Sequence, residues 1–400
     1  MTRLDHTPIP RYRAVAGPAL LTQGFRPFFL AAGLWAVVAL ALSIGMIQGR
    51  LSLPTVFDPI AWHLHELIYG YAAAAIAGFL LTAIPNWTGR LPLQGWPLLW
   101  LVLLWLAGRV AMATSALIGA GPAAALDLGF LAALAVVALR EIIVGRNWRN
   151  LVPIAGVLLL FAANLLLHAE AMALVESGGA SHRLPIAVLV MLISLIGGRV
   201  TPSFTRNWLA KRGTPPLPAT FGRLDQAAML VSLLALGAWV ALPEGTMTAL
   251  ALAAAALLQF VRLARWRGWA SAPEPLLWIL HVAYLWVPLG LALLSAAHWL
   301  PALPATGALH ALTVGAIGTM TLAVMSRAIL GHTGRPLSAD AGLTAVYVLI
   351  TLAAAGRVAA TVWEAASGLL LSAAVAFWIA SFLGFLILCG PMLLRRSPPT

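Results

Sequence analysis

Apolar runs of roughly 18 to 25 residues recur along this chain, separated by short polar punctuation, and few folds accommodate that pattern. A segment of that length crosses a bilayer as a helix with every backbone polar group satisfied internally. The runs are continuous rather than alternating, which excludes a β-barrel. Side chains are 62% hydrophobic and 9% charged, and Gly and Pro lie largely within or beside the apolar runs, as in membrane helices. The expectation is an all-α, polytopic transmembrane bundle of about twelve spans.

The formal charge of +12 does not signify nucleic acid, because the basic residues sit in loops flanking the spans. With the N-terminus inside, the inner loops collect nearly all of them, and the outer side keeps only Arg50, Arg183 and Arg357. Both termini are then cytoplasmic. Residues 1–26 read as a cytoplasmic tail without a signal-peptide core, 27–388 as one transmembrane domain, and 389–400 as a second cytoplasmic tail. A single cysteine, Cys389, excludes an internal disulfide and a thiolate-rich metal site.

Two spans echo each other. His65 is followed by Gly70 and by Thr88-Gly89-Arg90, and His310, at the same spacing, by Gly315 and Thr333-Gly334-Arg335. Both spans run from outside to inside, so a duplication would need no inversion.

Ionisable side chains inside a bilayer are costly and mark function. At a rise of 1.5 Å per residue, His65 lies roughly 6 Å below the outer membrane face, and His168 and His310 about 10 Å below it. His63 lies nearer the surface. One histidine in a membrane helix serves as polar glue; four from three spans in one layer point to a site. His63 and His65 stand about 200° apart around a regular helix, so they face different neighbours or different centres. Glu66 shares the face of His63 and is expected to orient it, and it is the best-placed proton carrier. His281 lies toward the cytoplasmic side, as a ligand of a second centre or as a packing residue. His182 and His298 are expected at outer ends or loops, and His332 in a cytoplasmic loop. Arg109, deep in the third span, needs a counter-charge from Glu66, Glu170 or a cofactor carboxylate; Arg199 is near enough to the inner face to snorkel.

Imidazoles without thiolates suit haem iron, copper or zinc and argue against calcium or magnesium. The candidate ligands are His65, His310, His63, His168 and His281, with Arg109 as a cofactor-binding residue and Glu66 as the candidate catalytic group. Loops such as Pro85-Asn86-Trp87-Thr88-Gly89-Arg90 and Arg146-Asn147-Trp148-Arg149-Asn150 are explained by turn formation and headgroup anchoring.

Several blocks resemble the NnrS family of bacterial membrane proteins: Gly24-Phe25-Arg26-Pro27-Phe28-Phe29, Trp62-His63-Leu64-His65-Glu66-Leu67, Gly78-Phe79-Leu80-Leu81-Thr82-Ala83, Pro85-Asn86-Trp87-Thr88-Gly89, Gly197-Gly198-Arg199 and Gly331-His332-Thr333-Gly334-Arg335. They span most of the chain in order; Leu67 departs from a position where the family often has Met. The resemblance implies a haem- and copper-containing protein of the bacterial inner membrane, linked to denitrification, nitric oxide metabolism and protection against nitrosative stress. It implies nitric oxide or iron-nitrosyl species as ligands, and neither turnover nor a ligand assignment. Two other functions compete: a copper or small-solute transporter, and a haem-based membrane sensor working through a partner. Transport predicts polar residues continuing across the bilayer, whereas the inner half offers mainly His281 and Arg199. No quinone or nicotinamide motif identifies an electron donor.

Overall fold

Hydropathy alone drives twelve segments into helices, and all twelve form in the computed structural model, which describes residues 17–396. They are α1 (Phe25–Ile47), α2 (Pro59–Thr88), α3 (Trp96–Ala113), α4 (Ala120–Val144), α5 (Trp148–Ala171), α6 (Ala180–Lys211), α7 (Arg223–Ala241), α8 (Thr246–Ala264), α9 (Pro275–Trp299), α10 (Ala305–His332), α11 (Ala341–Ala359) and α12 (Glu364–Leu394). Among the described residues there is no strand. Much of the expected N-terminal tail, residues 1–16, and positions 397–400 lie outside the described residues. The inner ends run further than hydropathy suggests: α6 and α10 continue through Lys211 and His332, and α12 passes position 388 to end at Leu394.

Successive helices pack side by side, and α12 returns against α1 to close the bundle. The apolar stretches of α2 and α10 are 72% and 67% buried, against 28% for α12, so α2 and α10 are inner helices and α12 presents most of its surface to lipid. Close approach depends on small residues. Ala72, Ala73, Ala74 and Ala75 are all buried, as close helix packing requires. Gly108 on α3 faces α4 so closely that a Cβ there would meet the Asp127 Cα at 3.2 Å.

The echo between α2 and α10 extends to the backbone. Each turns π-helical directly after its histidine, over Glu66–Ala72 and Ala311–Gly318. In each, the repeated glycine accommodates a tryptophan from the preceding span: Trp35 lies against Gly70 and Trp286 against Gly315. The wider turn frees backbone carbonyls that side chains then satisfy. Trp105 Nε1 donates to the Gly70 carbonyl at 3.0 Å, and Tyr71, from the first segment, donates to the Gly318 carbonyl at the end of the second.

Candidate metal centre

Below the outer face, α2, α3, α4 and α5 bring their polar side chains to one buried point. His65 directs Nδ1 to Glu66 Oε1 at 3.0 Å and Nε2 to Asp127 Oδ2 at 3.0 Å. His168 Nε2 reaches the same Asp127 oxygen at 3.0 Å, and Asn164 Nδ2 donates to it at 2.6 Å. Arg109 donates to both Glu66 oxygens at 2.8 Å and also to Asp127 Oδ1. Trp35 Nε1 donates to Glu66 Oε2 at 2.6 Å. All of these groups except Trp35 are buried.

Charge balance decides what this arrangement is suited to hold. Glu66 and Asp127 are two carboxylates facing the one guanidinium of Arg109. The surplus negative charge in an apolar surround is costly unless a proton on an imidazole or a metal cation offsets it. His65, Asp127 and His168 each offer one ligand atom, all within 4.8 Å of one another. Bonds near 2.0 Å in a tetrahedral site place ligand atoms about 3.3 Å apart. The 3.0 Å spacings to Asp127 are close to that, and two imidazoles with a carboxylate suit copper, zinc or non-haem iron. Nearby, Tyr69 Oη, Asn164 Oδ1 and Arg109 Nε are buried without hydrogen-bond partners, as polar atoms around a ligand site often are.

An aromatic plug covers the centre. Phe57, in the loop before α2, places its ring centroid 5.8 Å from that of His65 and 5.6 Å from that of His168. The plug is pinned to the α3–α4 corner: Ala116 N–H donates to the Pro54 carbonyl at 2.9 Å, and Val56 N–H to Ser115 Oγ at 3.0 Å.

The four outer-layer histidines divide into two groups. His65 and His168 share this centre, with ring centroids 5.6 Å apart. His63 instead lies within electrostatic reach of His310 on α10 and Arg357 on α11. His63 Nδ1 is buried without a partner. His310 uses Nδ1 on the Thr306 carbonyl at 2.7 Å, which leaves Nε2 for another partner. Arg357, unlike Arg109, has no carboxylate in ion-pair contact among the described residues.

Several expectations need correcting. Glu66 orients His65 rather than His63, because its oxygens face α1, α3 and the next-door imidazole. Glu66 supplies a counter-charge to Arg109, but Glu170 does not; it accepts from Ser177 N–H at 2.8 Å and from the Ser181 hydroxyl. His332 closes α10, with its ring centroid 5.5 Å from that of Phe25, rather than sitting in a loop. His298, as expected, lies at an outer helix end, where it meets Thr246 Oγ1 at 3.2 Å. His281 stands apart near the inner side, its Nε2 2.8 Å from Thr205 Oγ1, and joins no three-ligand group among the described residues. Sequence reasoning missed Asp127, Asn164 and Trp35. Asp127 left a usable signal, as an acid inside an apolar run at the depth of the histidines.

Among curated proteins, none matches this chain. A family model described as NnrS protein matches residues 19–397, nearly the whole sequence. The chain therefore belongs to the NnrS family, and with its twelve apolar spans it is a multi-pass protein of the bacterial inner membrane with a role tied to nitric oxide and nitrosative stress.

Proposed function

We propose that this chain holds copper and haem in the outer half of its bundle and binds nitric oxide or its iron adducts there. In this reading His65, His168 and Asp127 hold the copper, and His63 and His310 supply imidazoles to haem, with Arg357 facing a haem carboxylate. The observation that carries the proposal is the convergence of two imidazoles and a carboxylate from three spans on one buried point. The donor set fits copper. The partnerless His63 Nδ1 and the free Nε2 of His310 would leave these imidazoles able to hold a haem. Haem held there would supply the capacity to bind nitric oxide.

The chain's own residues then have separate tasks. Arg109 and Trp35 fix the Glu66 carboxylate, and Glu66 in turn fixes the tautomer and direction of His65. Through the contact of its Oε1 with His65 Nδ1, Glu66 is also the group best placed to hold or move a proton at the site. His281 is assigned a packing role, on the strength of its Thr205 partner.

An optical spectrum of detergent-purified protein, oxidised, reduced and exposed to nitric oxide, tests the reading together with metal analysis. A reduced haem spectrum altered by nitric oxide, with copper present, is the expected result. A colourless protein that carries copper into vesicles would overturn it in favour of transport.

A further inference from the structure

At the cytoplasmic face the inner ends of α2, α5, α6, α8 and α10 enclose a cavity of about 810 Å³. Arg149, Arg199, Arg206, Arg262 and Arg327 line it, and among the described residues Asp225 is the one carboxylate on its wall. That carboxylate is already taken, by Arg262 at 2.9 Å and Arg265 at 3.3 Å. Arg206 donates to the Pro218 carbonyl, and Arg327 stacks over the Phe204 ring at 4.0 Å. Glu274, a carboxylate whose charge acts on Arg327, is itself engaged, its oxygens accepting from Ser338 and the Ala339 N–H. Among the described residues, Arg149, Arg199, Arg206 and Arg327 make no ion pair with a carboxylate. On the same face Arg90 is paired with Glu141, whereas Arg146, Arg212 and Arg335, like the four in the cavity, make no ion pair with a carboxylate among the described residues; what sets the four apart is that they line one cavity.

The cavity continues into hydrocarbon-like surroundings. A second space of about 90 Å³ shares the walls Phe29, Phe79, Pro153, Ile196 and Val324 and is lined almost wholly by apolar residues. Its apolar walls suit part of an alkyl chain. A soluble anion would use the guanidiniums and gain nothing from the slot. Basic pockets between membrane helices at the cytoplasmic level are binding sites for anionic lipid headgroups.

We propose that this vestibule binds an anionic phospholipid, its phosphate held among Arg149, Arg199, Arg206 and Arg327 and one acyl chain entering the slot beside Ile196 and Val324. The lipid would act as an internal strut joining the inner ends of α5, α6 and α10. This proposal is independent of the outer metal centre.

The test uses the full chain, delipidated in mild detergent and relipidated with phosphatidylglycerol or phosphatidylcholine. Retained lipid is counted by native mass spectrometry, and thermal stability is followed in parallel. Phosphatidylglycerol is expected to be retained and to protect, and phosphatidylcholine is not. Combining Arg199→Gln with Arg327→Gln should weaken retention roughly tenfold or more while haem and metal content stay unchanged. Val324→Phe, which fills the slot and spares every guanidinium, should also reduce retention. Equal retention of both lipids, or a double variant that binds as the parent does, overturns the proposal. Inorganic phosphate reproducing the full protection would overturn it too, by identifying a soluble anion as the ligand.

Discussion

The Nε2 atom of His65 stands 3.0 Å from Asp127 Oδ2, across the junction of the second and fourth spans. Its Nδ1 faces Glu66, so the ring lies between two carboxylates. A proton on that ring and a metal ion at Nε2 are alternative ways to balance the same buried charge, and the first three predictions follow from this exchange.

Metal uptake should release protons. Ligating imidazoles must be neutral, so copper added to the metal-free protein in weak buffer should acidify the solution by about one proton per ion bound. Affinity should therefore fall as pH is lowered. A pH electrode or indicator dye measures the release; uptake without acidification would show that His65 was already neutral.

Asp127→Asn should abolish stoichiometric metal binding. It also leaves Arg109 with Glu66 alone, and breaking a buried charge network in this way costs about 3–5 kcal/mol. Metal analysis and thermal unfolding in detergent check the two effects. Asp127→Glu should recover stability before it recovers metal.

The two histidine groups should separate by mutation. His168→Ala is expected to lose the copper and keep a haem spectrum, whereas His63→Ala and His310→Ala are expected to do the reverse. His281→Ala and His332→Ala should retain both. Loss of both cofactors from every variant would argue against two centres.

Arg357→Gln should keep the haem but lower its midpoint potential, because removing a nearby positive charge favours the ferric state. A shift of roughly 40 mV corresponds to about 1 kcal/mol for one electron. Redox titration of the reduced haem band measures it.

Gly70→Ala and Gly315→Ala compare the two repeated devices. Each drives a Cβ into a tryptophan ring, at a cost of about 1–3 kcal/mol from overpacking. At Gly70 the new methyl also meets Glu66 Oε2 at 2.8 Å, so only that variant should weaken metal binding. Equal effects on metal would refute the difference drawn between the two glycines.

The spans were legible because hydropathy is a property of each segment alone, and even the weakly apolar α7 and α11 formed where expected. The outer histidine layer was legible too, since depth follows from counting residues along a helix. Which histidine meets which was not. Pairing depends on helix neighbours, and the π-helical turns after His65 and His310 shift side-chain directions away from a regular helix. Glu66 meets the adjacent His65 because Trp35 on α1 and Arg109 on α3 draw its carboxylate that way, which three-residue spacing does not reveal. Asp127 escaped notice because it is a lone acid inside the apolar run of α4, with no histidine on its own helix; its role depends on Gly108 letting α4 approach α3.

Phe57 and the tether that holds it over the imidazoles would treat a gas and an ion very differently. A small neutral gas dissolves in hydrocarbon and can arrive sideways between helices without disturbing the plug. A hydrated ion must shed its water and wait for residues 54–57 to detach from Ser115 and Ala116. If the centre holds metal as proposed, loading it would be far slower than the passage of a small gas through the same outer layer.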